Sequence, residues 1–235
     1  MGFIKTFFAN TRKPQGFLGK IMLNGMNRGH ARCADWGMEH IGDLVPASIL
    51  DCGCGGGRNI QALLSRYPKA VAWGLDYSEI SVEKTREVNK AAIEAGRCNV
   101  VQGDVSDLPF DENSFNLVTA FETVYFWPDI EKSFGEVKRV LKPGGMFLIG
   151  CETNGAGFFM RLCEGLMNMT AYTDNDLCQF LGNNDFKEIK TYLRDGKSKK
   201  EIIKYDGKEI TMDDDYNHFS ISDRFVQWMT VTAKK

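Results

Sequence analysis

The sequence predicts an α/β fold in which helices cover both faces of a mostly parallel sheet. Apolar segments of strand length alternate along the chain with longer segments of helical periodicity, as expected for repeated strand–helix–strand units. A glycine-rich turn at residues 53–57 follows an apolar run that ends in an acid, and apolar positions at helical spacing come after it. The length of 235 residues suits one domain with an appended cap.

The elements of the sheet domain follow from hydrophobic periodicity and from turn residues. The predicted strands cover residues 47–51, 70–76, 99–102, 115–121, 146–151, 187–194 and 225–233. The predicted helices cover residues 60–67, 78–95, 130–141, 158–169 and 173–182. Ser78 and Asp129 are predicted N-caps, and Gly96 is a predicted helix stop. Residues 141–145, with one proline and two glycines, are predicted to form a turn.

Two further helices are predicted ahead of the first strand, from Pro14 to Gly29 and over residues 31–41. The first contains several glycines, each of which costs roughly 1 kcal/mol inside a helix, so we expect it to be marginally stable alone. We therefore interpret residues 1–45 as a helical cap or lid that orders when a ligand binds. A fixed helical pair or a dimer contact is the alternative.

The glycine turn lacks the signatures of two phosphate-binding loops. The dinucleotide fingerprint needs a small residue where this chain has Arg58, and no Gly-Lys-Ser/Thr run follows, as a P-loop requires. The pattern that remains is an acid and alternating glycines, Asp51, Gly53, Gly55 and Gly57. A carboxylate at a strand end repels pyrophosphate but attracts a cationic amine. S-adenosylmethionine (SAM) carries an amine, a sulfonium and no phosphate. A glycine turn without a ligand is the alternative.

From about residue 47 to residue 151, the chain resembles the class I SAM-dependent methyltransferases, whose motif I has this acid-and-glycine pattern. The resemblance implies a Rossmann-like, mostly parallel sheet of seven strands with an antiparallel closing strand. It also implies SAM as the cofactor and S-adenosylhomocysteine as the product. The methyltransferase domain is then residues 46–235, after the N-terminal helical cap. Asp206-Gly207 favours a type I′ hairpin, which we interpret as an insertion at about 197–222.

Cofactor contacts are expected at the carboxyl ends of the strands. Asp76 ends the second strand, where a carboxylate accepts hydrogen bonds from ribose hydroxyls, and Tyr77 is placed to cover the adenine. Asp104, between Gly103 and Val105, is placed to accept from the adenine amine. A helix cap at Asp76 and a turn residue at Asp104 are the alternatives. The expected cofactor-binding residues are Asp51, Gly53, Cys54, Gly55, Gly57, Asn59, Asp76, Tyr77, Gly103, Asp104, Val105 and Phe121.

The loop over residues 120–128 follows the fourth strand, and the resemblance implies that it lines the methionine end of the cofactor and the methyl acceptor. Its aromatic residues are Phe121, Tyr125, Phe126 and Trp127. Aromatic faces attract a sulfonium, and packing under the next helix is the alternative for Phe126 and Trp127. The expected catalytic residues are Tyr125, Glu122 and His30. Glu122 is expected to bind the amino group of the cofactor or to act as a base. His30 is expected to act as a general base, with a helix cap or a surface residue as the alternative.

Composition disfavours several functions. A net charge of −2 and a pI near 6.0 argue against a nucleic-acid partner. Seven scattered cysteines without a Cys-x-x-Cys pair, and only three histidines, argue against a structural zinc site, so no metal is expected. No apolar run reaches transmembrane length, and free cysteines suit a reducing compartment. We therefore expect a cytoplasmic protein without a membrane partner, as a monomer or a homodimer.

The favoured function is methyl transfer from SAM to an unidentified small-molecule acceptor. Because that cofactor is already activated, positioning supplies much of the protein's contribution. No Asn/Asp-Pro-Pro-Tyr/Phe tetrapeptide follows the fourth strand, which disfavours nucleotide bases and protein glutamine as acceptors. A SAM-binding regulatory or partner subunit without catalysis is the alternative, and a nicotinamide oxidoreductase is disfavoured by Arg58.

Overall fold

The computed structural model describes residues 30–152, 169–195, 200–213 and 227–235. Within these ranges nine strands form one sheet: β1 Ser48–Cys52, β2 Val71–Asp76, β3 Cys98–Gln102, β4 Phe115–Phe121, β5 Leu141–Cys151, β6 Lys187–Asp195, β7 Lys200–Tyr205, β8 Lys208–Asp213 and β9 Gln227–Lys234. The strand order is β3-β2-β1-β4-β5-β9-β6-β7-β8. The strands from β3 to β5 in this order are parallel, and the pairings from β5 to β8 are antiparallel.

Helices cover both faces of this sheet. They are α1 Ala31–Glu39, α2 Arg58–Arg66, α3 Glu79–Val88, α4 Lys90–Glu94, α5 Ile130–Val140 and α6 Asp174–Asn183. Ile49 packs in a cluster with residues of α1, α2 and α3, whereas the next residue, Leu50, packs in a cluster with residues of α5 and α6. Because side chains alternate along a strand, β1 is buried on both faces, which explains its continuous apolar sequence. None of the described helices is both long and apolar enough to cross a bilayer.

The predicted α/β class and the antiparallel closing strand are confirmed, but the count of seven strands is too low. The hairpin is the reason for the difference. Asp206 and Gly207 both have positive φ values, 51° and 69°, as a type I′ turn requires. We interpreted this hairpin as an insertion at about 197–222, and its strand β7 pairs with β6 along its whole length. An unpaired edge of β6 would leave main-chain groups without partners, and the hairpin satisfies them and extends the sheet by two strands.

Two predicted boundaries also differ. The helix predicted over residues 78–95 is divided at Asn89, whose side chain turns away to donate to the carbonyls of Gly57 and Thr85. The turn predicted over residues 141–145 belongs to β5, because Leu141 already pairs with Phe115 before the register shifts. The helix predicted from Pro14 to Gly29 and nearly all of the helix predicted over residues 158–169 lie outside the described residues.

Helix α1, the second predicted N-terminal helix, packs directly on the sheet. A Cβ atom at Gly37 would lie 3.1 Å from Thr230 and 3.2 Å from Phe121, so the helix approaches β9 and β4 closely. Arg58, the residue that breaks the dinucleotide fingerprint, donates to the Asp35 carboxylate at 2.5 Å and so joins α2 to α1. This packing favours a fixed element over a moving lid for residues 31–39.

Candidate active site

A cavity of about 210 Å³ lies at the carboxyl ends of β1 to β4. Parallel strands bring their carboxyl ends to one edge of the sheet, so residues that are far apart in the chain meet there. The predicted site residues that line the cavity are His30, Gly53, Cys54, Gly55, Asn59, Asp76, Tyr77, Gly103, Asp104, Val105, Phe121 and Glu122. Three predicted site residues, Asp51, Gly57 and Tyr125, lie behind its wall.

The glycine turn forms one wall and is tied to the neighbouring strand. The amides of Gly53 and Cys54 both donate to the carbonyl of Leu75, at 2.7 and 3.0 Å. Gly53 and Gly55 have φ values of 78° and 52°, a left-handed conformation that glycine adopts without strain. A Cβ atom at Gly53 would overlap the Thr123 side chain, so this position needs glycine for space as well.

Gly57 faces α3 instead of the cavity. Its φ value is 80°, and a Cβ atom there would lie 2.7 Å from Asn89 Nδ2 and 2.8 Å from Thr85 Cα. Asn89 Nδ2 donates to the Gly57 carbonyl at 2.9 Å, and the Thr85 hydroxyl donates to the Gly55 carbonyl at 2.9 Å. The third glycine of the pattern therefore permits close packing between the turn and α3.

Asp76 lies at the end of β2 and is almost fully buried, with 6% of its surface exposed. Its carboxylate accepts from the Gly55 amide at 2.9 Å and from the Ser78 amide at 2.9 Å, and Ser81 adds a side-chain hydrogen bond. Burial raises the pKa of Asp76, and these hydrogen bonds oppose the rise. An ionised carboxylate has about four acceptor positions, so capacity remains for a hydroxyl group of a ligand.

Asp104 and Tyr77 form the more exposed side of the cavity. Asp104 Oδ1 accepts from the amide and from the hydroxyl of Ser106, both at 2.8 Å, which fixes the carboxylate at the start of this loop. Tyr77 is 38% exposed, and Val105 beside Asp104 is buried. The pair of Tyr77 and Val105 gives this side of the cavity apolar surface of the kind that a flat aromatic ligand requires.

Asp51 lies beneath the turn, because β1 continues through Cys52. Only 1% of its surface is exposed, and its Oδ1 accepts from the Thr119 hydroxyl at 2.7 Å. Burial raises the pKa of Asp51 to about 7; the bond from Thr119 opposes this rise, and the charge of Asp76 adds to it. Its other oxygen, Oδ2, has no hydrogen-bond partner among the described residues.

The aromatic residues of the loop after β4 either line the cavity or pack in the interior. Phe126 and Trp127 line the cavity, and the Trp127 ring is buried. It also packs edge-on against Phe134 of α5, with ring centroids 5.9 Å apart. Trp127 Nε1 donates to the Thr123 hydroxyl at 2.8 Å, which links this ring to the residue that contacts Gly53.

Tyr125, expected in the acceptor wall, is not among the described residues that line the cavity. The short 3₁₀ turn Val124–Phe126 directs its ring into the interior, and its hydroxyl donates to Glu122 Oε2 at 2.6 Å. Glu122 itself has a φ value of 59°, an unusual conformation for a residue with a side chain. Burial raises the pKa of Glu122 to about 7, although the charge of His30 opposes this.

The three predicted catalytic residues lie in one contact network, together with Glu152, which sequence reasoning missed. His30 Nδ1 lies 3.8 Å from Glu122 Oε2 and 2.9 Å from Glu152 Oε2. The Glu152 amide also donates to Glu122 Oε1. Glu152 comes directly after β5, so the strand-end rule that nominated Asp76 and Asp104 also applies to it. Ser81, one helical turn into α3, gave no comparable signal.

Sequence comparisons agree with this geometry over the central part of the chain. Residues 50–149 match a protein family described as a methyltransferase domain. A 24-methylenesterol C-methyltransferase 3 from Arabidopsis thaliana is 37% identical over 100 residues, which are 43% of this chain and 28% of that protein. The sterol 24-C-methyltransferase ERG6B from Gibberella zeae is 32% identical over 121 residues, 52% of this chain and 32% of that protein. The match thus spans about a third of these relatives or less.

Structural comparisons extend the similarity of fold to the rest of the chain. The protein in complex with the Haloferax volcanii Trm112 methyltransferase activator has a TM-score of 0.68 at 18% identity, with 99% of this chain and 97% of that chain covered. The geranyl diphosphate C-methyltransferase of Streptomyces coelicolor has a TM-score of 0.66 at 14% identity, with 96% and 86% covered. Residues 50–149 thus match a methyltransferase domain, and the structural matches show a shared fold.

Proposed function

We propose that this protein transfers a methyl group from SAM, bound in the cavity, to a small-molecule acceptor. The observation that carries the proposal is Asp76, a nearly buried carboxylate beside the glycine turn with capacity for one more donor. The family match over residues 50–149 supports it. The acceptors in the names of similar proteins, which include sterols and geranyl diphosphate, support a small molecule as the acceptor class.

The residues around the cavity fit the parts of SAM. We assign one ribose hydroxyl to Asp76 and the adenine to the side formed by Tyr77, Asp104 and Val105. Gly55 supports this arrangement, because a Cβ atom there would meet no atom closer than 4.0 Å, so the wall leaves room for a ligand. The bound cofactor supplies a methyl group on a sulfonium, which is electrophilic without a metal.

The acceptor end is assigned to the aromatic loop. Phe121, Phe126 and Trp127 present ring surface to the cavity, and such surface attracts a sulfonium and excludes water from it. Glu122 and His30 lie beside these rings on the same cavity. This end of the cavity therefore offers an apolar wall and two titratable groups, which suits recognition of a small acceptor with one polar centre.

Calorimetry with SAM and with S-adenosylhomocysteine tests the cofactor half of this proposal. Asp76→Asn keeps the shape of the side chain but removes its charge and one acceptor. Hydrogen bonds to charged groups contribute about 1.5–3 kcal/mol, so we expect a 10- to 100-fold loss of affinity. Asp111→Asn removes the same charge from an exposed aspartate away from the cavity and is the matched control.

Two results would contradict the proposal. Unchanged affinity in Asp76→Asn, with an unchanged melting temperature, would remove the ribose assignment. Absence of S-adenosylhomocysteine release from SAM with small-molecule acceptor mixtures, despite tight SAM binding, would favour a SAM-binding subunit without catalysis. The finer expectation of a reducing, cytoplasmic setting is supported by the six free cysteines among the described residues.

A further inference from the structure

Two glutamates and one histidine meet at the edge of the cavity where β4 and β5 end. The two strands are parallel neighbours, and Phe121 pairs with Gly150, so the residues that follow them lie side by side. Glu122 follows β4, and Glu152 follows β5. His30 approaches both from the start of α1, and it also lines the cavity. The folding of the sheet therefore brings two carboxylates to one imidazole beside the proposed acceptor end.

The contacts define which imidazole nitrogen is available. Nδ1 is the ring nitrogen nearest the carboxylates, 2.9 Å from Glu152 Oε2 and 3.8 Å from Glu122 Oε2. A ring nitrogen this close to a carboxylate oxygen carries the hydrogen, and in neutral imidazole the other nitrogen, Nε2, then has the lone pair. The His30 side chain is 34% exposed, so a ligand in the cavity can approach it.

We infer that His30 is the base that receives the acceptor's proton, and that Glu152 is the residue that positions His30 for this role. The inference rests on the proposed function and deepens it, because it requires an acceptor atom that bears a hydrogen, as in an amine, a hydroxyl or a thiol. The acceptor atom gains the methyl group, the carbon–sulfur bonding pair stays on sulfur, and the acceptor's proton moves to Nε2. Glu152 then faces an imidazolium, whose charge its carboxylate stabilises.

The surrounding charges agree with this division of roles. Burial alone would lower the pKa of His30, but the contact with Glu152 and the charges of Glu122 and Glu152 raise it overall. The other titratable groups near these glutamates are Cys33, Cys151 and Tyr125, and burial raises the pKa of each well above its ordinary value. These three groups stay neutral near pH 7, so the charge near His30 comes from the two glutamates. The charge of Arg194 opposes the rise in the pKa of Cys33.

Histidine NMR tests the positioning role without an acceptor. The chain contains three histidines, so the ring signals can be assigned by substitution. We expect Glu152→Gln to move the titration midpoint of His30 to lower pH, because the charge that favours the imidazolium is removed. Glu152→Asp keeps the charge and should restore most of the midpoint. Glu201→Gln, beside His40 at 3.5 Å, is the matched control and should leave His30 unchanged. An unmoved His30 midpoint in folded Glu152→Gln would overturn the inference.

Kinetics test the catalytic role, with three amines, phosphoethanolamine, histamine and sarcosine, as the methyl acceptors supplied. For an acceptor that is methylated, we expect His30→Gln to lower kcat by about 10²- to 10⁴-fold, the usual contribution of a general base, and to leave SAM affinity within twofold. Glu152→Gln should shift the acid limb of the kcat profile to lower pH. Equal kcat in His30→Gln and the parent would overturn the role of His30. Failure of the parent protein to bind SAM would instead overturn the proposed function. If none of the three acceptors is methylated, the NMR result decides.

Discussion

Gly57 offers a quantitative test of how the turn is built. Gly57→Ala places a Cβ atom 2.7 Å from Asn89 Nδ2 and 2.8 Å from Thr85 Cα, at a φ value of 80°. The left-handed conformation costs about 1–2 kcal/mol for an alanine, and overpacking costs about 1–3 kcal/mol more. We therefore expect a loss of roughly 2–5 kcal/mol in the free energy of unfolding. For a chain of this size, that loss lowers the melting temperature by roughly 4–20 °C.

Gly96 separates the two contributions. Its φ value is 69°, but a Cβ atom there would meet nothing within 4 Å. Gly96→Ala should therefore show the conformational cost alone, about 1–2 kcal/mol. Urea unfolding of both variants measures the difference. Truncating Asn89 as well should not rescue Gly57→Ala, because the Thr85 contact is to the main chain. Equal losses in Gly57→Ala and Gly96→Ala would refute the packing role.

Three further predictions follow from the site. Burial raises the pKa of Asp51 to about 7, above about 3.9 for an unfolded aspartate, so the folded state holds the extra proton between these values. Stability should therefore fall as pH rises from about 4 to 7, and Asp51→Asn should flatten that decline in urea unfolding. Tyr125→Phe, which removes the donor to Glu122, should lower kcat by about 10- to 100-fold with SAM affinity within twofold. Amides of α1 should exchange more slowly than those of edge strand β8, and S-adenosylhomocysteine should not change this.

Each of these three predictions has a result that would contradict it. An unchanged pH slope in Asp51→Asn would mean that Asp51 is ionised in the folded protein throughout this range. Equal losses of SAM affinity and kcat in Tyr125→Phe would make the tyrosine a support of the cofactor site. Strong ligand-induced protection of α1 would restore the lid interpretation for residues 31–39.

Much of the cavity was predictable because one topological rule applies to all its strands. In a parallel sheet the residues after each strand meet at one edge, so the positions of Asp76, Asp104 and Phe121 followed from strand boundaries alone. Glu152 obeyed the same rule but was not among the predicted site residues. His30 reaches the cavity because α1 packs on the sheet, and no local sequence pattern predicts this packing.

Asp51 and Tyr125 are not among the described residues that line the cavity. Asp51 lies inside β1, one residue from its end, and so the strand buries it beneath the turn. Tyr125 lies in a 3₁₀ turn, whose three residues per turn direct successive side chains to different sides. The hairpin was recognised from Asp206-Gly207, but that turn does not report the pairing of β7 with β6, which joins Asp195 to Lys200 and Lys190 to Tyr205.

A crystal structure of the protein with S-adenosylhomocysteine shows directly whether the cavity is the cofactor site. We expect the ligand in the cavity at the carboxyl ends of β1 to β4. A ribose hydroxyl should lie within hydrogen-bonding distance of the Asp76 carboxylate, and the adenine should lie beside Asp104 and Val105. A ligand bound outside this cavity, or one inside it with no contact to Asp76, would contradict the proposed function.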